Sequence, residues 1–146
     1  MGLTERIELR EVSLNDVTYL YELLKERDAS ITITQKNLPS LKEHRNFVEN
    51  QLRSINGNIK NIEKTGLDPY DGWYIILLES KKVGNIWIEN NNDIGWFIKK
   101  EFQNIGIPFR AFQILKKLHK RSIYRGKNNF KNIRGCKLLE KMGFKL

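Results

Sequence analysis

Apolar and polar residues alternate along IELREV (Ile7–Val12), the period-two signature of a half-buried strand. Ser13 follows as a helix cap, and Asp16 three residues on closes a capping box. Val17, Leu20, Tyr21 and Leu24 then recur at helical spacing. A loop over Asp28–Pro39 leads to a second capping box, Ser40 with Glu43, and to a second helical face of Phe47, Val48, Gln51, Leu52 and Ile55. NGN at Asn56–Asn58 ends that helix, and the polar stretch Ile59–Gly72 reads as a loop. Three apolar runs come next, Trp73–Glu79, Val83–Glu89 and Asp93–Ile98, joined by SKK and NNN. Connections this short predict an antiparallel meander, because a parallel pair needs a long crossover. Ile107, Ala111, Ile114, Leu115 and Leu118 make a third helical stripe, and Arg121–Lys127 is a short strand. Asn132 caps a last helix whose Gly135, Leu138, Leu139 and Met142 share a face; Gly143 ends it, and FKL begins a further strand.

The order β-α-α-β-β-β-α-β-α-β predicts an α/β (α+β) fold: a mixed, mainly antiparallel sheet flanked by about four helices. A chain of 146 residues with 40% apolar and 29% charged residues suits one domain, 1–146, around one core. WYIILL (Trp73–Leu78) is the longest apolar run and is too short to span a bilayer. The start MGLTERIELR lacks the apolar stretch of a secretory signal, and Arg6 stands where a myristoylation signal places Ser or Thr. A soluble cytoplasmic protein without a membrane partner is expected. The lone Cys136 leaves no internal disulfide and no Cys-rich zinc site, and no metal is expected. The net charge of +9 favours polyanions: a phosphorylated cofactor, an acidic substrate or nucleic acid. No RNP-type aromatic run, zinc spacing or zipper accompanies the basic residues, so a small basic nucleic-acid-binding protein stands only as a rival reading.

The chemistry concentrates in GWFIKKEFQNIGIPFRAFQILKKLHK (Gly95–Lys120), where a strand passes through a glycine-containing loop into a helix. The first N–H groups of a helix lack internal partners and carry the positive end of its dipole. Such a junction binds anions. Gly106 lets a phosphate approach the main chain. Pro108 suits the first helical position and removes one donor. Lys99, Lys100, Arg110, Lys116 and Lys117 surround the junction with positive charge. An ordinary strand–helix turn would use the same Gly and Pro.

QNIGIP (Gln103–Pro108) is similar to the Gln/Arg-x-x-Gly-x-Gly/Ala loop of the GNAT superfamily of N-acetyltransferases, and NIRGCKLLEKMGF (Asn132–Phe144) resembles that superfamily's Asn-x-x-Ser/Ala-x-x-Leu-Tyr-x-x-x-Gly-Phe ending. With the element order, the resemblance covers nearly the whole chain. It implies that Asp93–Ile98 splays away from Ser122–Arg125, and that the pantetheine arm of acetyl-coenzyme A lies in the gap, pairing with the backbone of Phe97 and Ile98. It places the pyrophosphate on the loop Gln103, Asn104, Ile105, Gly106, Ile107, Phe109 and Arg110, with the Gln103 side chain holding the loop. Asn132 would face the pantetheine or the acceptor. Pro108 replaces the loop's second Gly/Ala, and Leu139 stands where many members carry a Tyr that acts as general acid. Relatives continue past GF into further strands, whereas this sequence stops at Leu146, so an open sheet edge and a homodimer are expected.

The implied reaction moves an acetyl group from acetyl-coenzyme A to a primary amine, and the alternative implied by Leu139 and Pro108 is a coenzyme A-binding protein without catalysis. An alkylammonium must lose a proton before it attacks. Asp93 and Glu89 are the candidate bases, and Asp93 also suits a turn after NNN. Tyr124 is the candidate proton donor, or a core residue. A strand N–H, that of Phe97 or Ile98, would support the thioester oxygen. His44 and His119 titrate near neutrality and are weaker candidates; Cys136 lacks a basic partner. The acceptor surface is expected from Ala29–Leu38 and Tyr70–Trp73, with Tyr70, Trp73, Tyr74, Trp87 and Trp96 as ring-stacking or core residues. SLKEHRNF (Ser40–Phe47) loosely resembles members that act on amino sugars, so an amino sugar or nucleotide-linked amino sugar is the preferred acceptor.

Overall fold

The computed structural model describes residues 6–26, 38–57, 69–103 and 105–126. Among them, strand β1 (Ile7–Glu11) leads through the 3-10 turn Leu14–Asp16 into helix α1 (Val17–Glu26). Helix α2 (Leu41–Ile55) precedes the meander β2 (Tyr70–Leu78), β3 (Lys81–Glu89) and β4 (Asp93–Ile98). Helix α3 (Ile107–Leu118) and the short β5 (Arg125–Gly126) complete the described elements. The sheet order is β1-β2-β3-β4-β5; every pairing is antiparallel except β4 with β5, which is parallel. The mixed α/β architecture is the one the sequence predicts. The expected helix after Asn132 and the FKL strand lie outside the described residues.

Strand alternation splits the core in two. Tyr74, Ile76, Leu78, Ile86, Ile88 and Ile94 face α3 and pack on its Ile107, Ala111, Phe112 and Leu115. Trp73, Ile75, Tyr70 and Val12 face α1 and α2, meeting Val17, Leu20, Leu23 and Val48. Both predicted capping boxes are present, with Ser13 and Asp16 at the 3-10 turn and Ser40 and Glu43 at α2.

Three boundaries differ from expectation. β2 begins at Tyr70, because Gln51 Oε1 accepts its N–H at 2.7 Å and Ser54 Oγ donates to its carbonyl at 3.0 Å. Gln51 therefore sits buried on an apolar helix face with its amide used. On α3, Phe112 is buried and Leu118 is 54% exposed, so the helix turns its last apolar residue to solvent. The predicted strand Arg121–Lys127 is reduced, among the described residues, to Arg125–Gly126.

Asp16 is the most demanding polar group in the fold. It is buried, and it accepts from Arg10 Nη2 at 2.9 Å, Arg10 Nη1 at 3.1 Å, the Ser13 N–H at 2.9 Å and Lys82 Nζ at 3.3 Å. Burial pushes its carboxyl up, but Arg10, Ser13 and Lys82 together hold it below the usual carboxylate value. A depressed folded-state carboxyl contributes stability above its unfolded value, and that contribution is lost as pH falls through the folded value. Unfolding free energy measured in urea should therefore drop on acidification below about pH 4, and Asp16→Asn should flatten that drop. At neutral pH the variant should lose about 2 kcal/mol; side chains of Arg10 and Lys82 are 40% and 41% exposed, so water screens them and the loss stays below that of a fully buried pair.

Candidate functional site

β4 has one edge in the ladder and another that the described strands leave largely uncovered. Lys99 N–H donates to the Val83 carbonyl at 2.9 Å. Two-residue alternation then directs the main-chain groups of Gly95 and Phe97 to β3, and those of Ile94, Trp96 and Ile98 to the opposite edge. The Arg125 N–H donating to the Asn92 carbonyl at 2.9 Å on that opposite edge agrees with this phase. β5 pairs with β4 only at Asp93 with Arg125 and Ile94 with Gly126 among the described residues. Trp96 and Ile98 thus present main-chain groups on an edge that no described strand covers. Phe97, expected to pair with a ligand, has its groups in the β3 ladder opposite Asn85, while those of Trp96 are on the opposite edge. Ser122–Tyr124 precede the paired segment, so they do not lie opposite Trp96–Ile98, and the residues that follow Gly126 lie outside the described ones.

The loop after β4 is tied at both ends. Gln103 Nε2 donates to the Ile98 carbonyl at 3.1 Å, and Lys100 N–H, in the 3-10 turn Lys100–Phe102, donates to Glu26 Oε1 at 3.0 Å. Gly106, at φ 84°, is the N-cap of α3. A left-handed conformation at this point is open to Gly and costs other residues about 1–2 kcal/mol. Arg110 N–H makes the first helical bond, to the Gly106 carbonyl at 3.2 Å, and no side chain caps this end. Ile107 is fully buried and fixes the first turn in the core. Pro108 falls at the second helical position, not the first, where its missing N–H still costs no intrahelical bond. The N–H groups of Ile107 and Phe109 belong to the unpaired first turn. Arg110 directs Nη1 to Gln113 at 3.4 Å, and its buried Nε has no hydrogen-bond partner among the described residues. Asn104 and Asn132 lie outside the described residues. Lys116 and Lys117 are in the last turn of α3, about 15 Å of helix from Gly106, so they do not surround the junction.

The candidate proton carriers divide between the faces of the sheet. Asp93 and Glu89 flank the turn between β3 and β4 and share the alternation of Gly95, Phe97 and Trp87, which is the α1/α2 face. Asp93 is buried, its N–H donates to Asn91 Oδ1 at 3.0 Å, and Arg125 Nε lies 3.7 Å from its carboxylate. It therefore stands at the first register pair of β4 with β5. Glu89 accepts from Trp87 Nε1 at 3.3 Å. Tyr124 is on the α3 face, edge-on to Phe112; its hydroxyl donates to the His119 carbonyl at 2.7 Å and accepts from Arg121 N–H at 3.1 Å. That hydroxyl closes the turn after α3.

The two histidines are packed. His44 is buried beside the Tyr21 ring at 5.3 Å, and burial pushes it below its ordinary value. His119 caps α3, sits 2.6 Å from the Tyr74 hydroxyl, and is lowered by burial and by Arg121. Gly72 leaves room for it, since a Cβ there would meet His119 Nε2 at 2.4 Å. Trp73 Nε1 donates to Asn85 Oδ1 at 2.8 Å, and Tyr70 stacks on Trp87 at 5.5 Å, so these rings are engaged in the core. Among the described residues no helix is long and apolar enough to cross a membrane, and no group of three or more His, Cys, Asp or Glu is placed to hold a metal ion.

No protein-family model matches the sequence, and no curated protein matches it. Solved structures do match. The acetyl transferase of Salmonella typhimurium that modifies the N-terminal serine of 50S ribosomal subunit protein L7/L12 is 20% identical, with a TM-score of 0.72 over 97% of this chain and 81% of that one. The microcin C7 self-immunity acetyltransferase MccE, solved with acetyl-CoA and AMP, is 19% identical, with a TM-score of 0.70 over 97% and 80%. A GNAT-family acetyltransferase from Bacillus anthracis is 19% identical, with a TM-score of 0.65 over 96% and 80%. The chain has the fold of these acetyltransferases.

Two stability tests follow from the site. Gly106→Ala should lower the unfolding free energy by about 1–2 kcal/mol, read by urea denaturation, because Ala resists the left-handed conformation. A buried histidine lowered in the fold favours folding when neutral, so stability should fall as pH drops below about 6.5. His44→Leu should reduce that slope between neutral pH and pH 5, with melting temperature against pH as the readout.

Proposed function

We propose that the protein is an acetyl-coenzyme A-dependent N-acetyltransferase acting on a primary amine. The observation that carries this is the first turn of α3 at Gly106, which no described side chain caps, next to the β4 edge at Trp96 and Ile98, which no described strand covers. A diphosphate suits the N–H groups of Ile107 and Phe109 and the Nε of Arg110, which has no partner among the described residues. An amide-bearing arm suits the edge groups of Trp96 and Ile98, as an added strand does. Acetyl-coenzyme A has both parts, and it supplies the activated thioester.

The chain's own residues then hold and deprotonate. An edge N–H of β4 supports the thioester oxygen as charge builds there. The acceptor amine enters from the α1/α2 face and loses a proton to Asp93, directly or through a water; Glu89 is the second carboxylate on that face. The amine nitrogen bonds to the acyl carbon, the carbon–sulfur bond breaks, and the thiolate takes its proton from solvent. Tyr124 is not needed as an acid, in keeping with its hydroxyl serving the turn.

The acceptor class is open to direct test. SLKEHRNF, the stretch behind the amino-sugar preference, supplies the α2 cap at Ser40 and Glu43, the buried His44 and the Arg45–Glu49 ion pair, so its residues serve the helix. A panel should include amino sugars, nucleotide-linked amino sugars and peptides with free α-amines, the last because one structural neighbour modifies an N-terminal serine.

Coenzyme A at about one hundred times its dissociation constant should stabilise the fold by about 2.7 kcal/mol, a rise of several degrees in melting temperature. Gly106→Val should abolish that rise. Asp93→Asn should keep the rise and lower thiol release by about a hundredfold or more. Absence of any coenzyme A-dependent shift in the unaltered protein would reject the proposal.

A further inference from the structure

The positive charge of this protein is not spread along the chain. Residues 1–98 contain twelve Lys and Arg against fifteen Asp and Glu, whereas residues 99–146 contain fourteen against two. Among the described residues, much of that excess gathers at the end of α3 and the turn into β5. Lys116, Lys117, Lys120 and Arg125 are exposed there. Two large aliphatic side chains stand among them, Leu118 at 54% and Ile123 at 59% exposure.

Several charges elsewhere on the surface are paired, as in Arg6 with Glu79, Lys25 with Glu22 and Arg45 with Glu49. Here the nearby carboxylates are already used: Asp71 by Arg121 at 2.6 Å and Asp93 by Arg125 at 3.7 Å. Lys116 rests over the Phe112 ring at 4.9 Å, and neither Lys117 nor Lys120 has an ion-pair partner among the described residues. The helix dipole accounts for two lysines in the last turn of α3. It does not account for Leu118 and Ile123 in water, nor for Lys120 and Arg125 beyond the helix. The turn that carries them is rigid, because Tyr124 bonds both the His119 carbonyl and the Arg121 N–H.

We propose that this surface, Lys116, Lys117, Leu118, Lys120, Ile123 and Arg125, docks an acidic polypeptide segment that carries aliphatic side chains. Charge complementarity selects an acidic partner, and the two exposed aliphatic residues give it an apolar anchor. Nucleic acid fits less well: single strands use aromatic platforms, and the two rings of this region, Phe112 and Tyr124, pack against each other at 5.4 Å. A membrane fits less well too, since the apolar face of α3 is spent in the core and, among the described residues of this surface, two aliphatic side chains remain outside. The inference stands apart from cofactor binding: it concerns the far end of α3 from Gly106, and Arg125, which also faces Asp93 at 3.7 Å, is left unaltered in its test.

The test is fluorescence anisotropy with the full chain and a labelled synthetic peptide alternating Glu and Leu. Comparison probes are polyglutamate, a single-stranded oligonucleotide, and vesicles of phosphatidylcholine with phosphatidylserine. The peptide should bind more tightly than every comparison probe. Lys116→Glu, Lys117→Glu and Lys120→Glu together should weaken it about tenfold or more, and Leu118→Ser with Ile123→Ser about fivefold. All these residues are exposed, and an unchanged melting temperature would show the variants fold; the coenzyme A-dependent shift should persist in both. A peptide that does not bind, or binds the variants equally well, would overturn the proposal. So would equal or tighter binding of polyglutamate, oligonucleotide or vesicles.

Discussion

The hydrogen bond from the Gln103 side chain to the Ile98 carbonyl decides what the β4 edge presents. That carbonyl points away from β3, on the edge that β5 does not cover among the described residues. A strand edge left bare is a liability, because its donors and acceptors pair with any passing strand. Gln103 blunts one end of it while the Trp96 groups stay on the edge. The same bond folds the loop back toward β4, and Lys100 N–H on Glu26 ties that loop to the end of α1. Gly106 then turns the chain, and Ile107 enters the core. Edge and helix N-terminus are thus held in one fixed relation by two hydrogen bonds, one left-handed glycine and one buried isoleucine.

The sheet gives its two faces different work. α3 covers one face, and its burial of Ile107, Ala111, Phe112 and Leu115 sets where its uncapped first turn stands. α1 and α2 cover the other, where Trp73 is bonded to Asn85 and Gln51 and Ser54 hold Tyr70. These buried polar groups are paired with specific partners, which fixes register more firmly than apolar contact does. Gly84 and Gly95 serve the same end. A Cβ on Gly84 would meet the Phe97 carbonyl oxygen at 2.3 Å, and one on Gly95 would meet the Trp87 ring at 2.0 Å. β3 and β4 approach closely only because those two positions lack side chains.

Much of this was written in local sequence signals. Ser13 with Asp16 and Ser40 with Glu43 are short-range hydrogen-bond patterns, so they can be read without the fold. The meander follows from the brevity of SKK and NNN, and Gly106 before Pro108 marks the start of α3. What was not legible depends on the third dimension. Side-chain alternation tells which face Phe97 points to, but not which strand edge its N–H joins. That phase is set by the β3–β4 turn, where Asn92 takes φ 73° and donates to the Glu89 carbonyl at 3.0 Å. Lys116 and Lys117 are close to Gly106 in sequence, yet helical rise carries them to the other end of α3. Leu118 completes an apolar stripe on paper, while the helix rotates Phe112 inward instead. The service of Glu26 to the loop joins residues 74 positions apart and leaves no local trace.

The Asp93–Arg125 contact fixes where the proposed site begins. These two residues are register partners on the parallel pair, and Arg125 N–H bonds the Asn92 carbonyl one residue earlier. The strands are therefore joined at their N-terminal ends, and the described pairing ends one residue later, at Ile94 and Gly126. Asp93 alternates with Gly95 and Phe97, so its carboxylate lies on the α1/α2 face, while Trp96 and Ile98 pack their side chains toward α3. An arm laid along the β4 edge from α3 would bring its end to this register pair. A nucleophile that needs Asp93 must then arrive from the α1/α2 side, because α3 and the Tyr124 turn occupy the other. The direction of approach is set by strand phase and helix placement before any acceptor is specified.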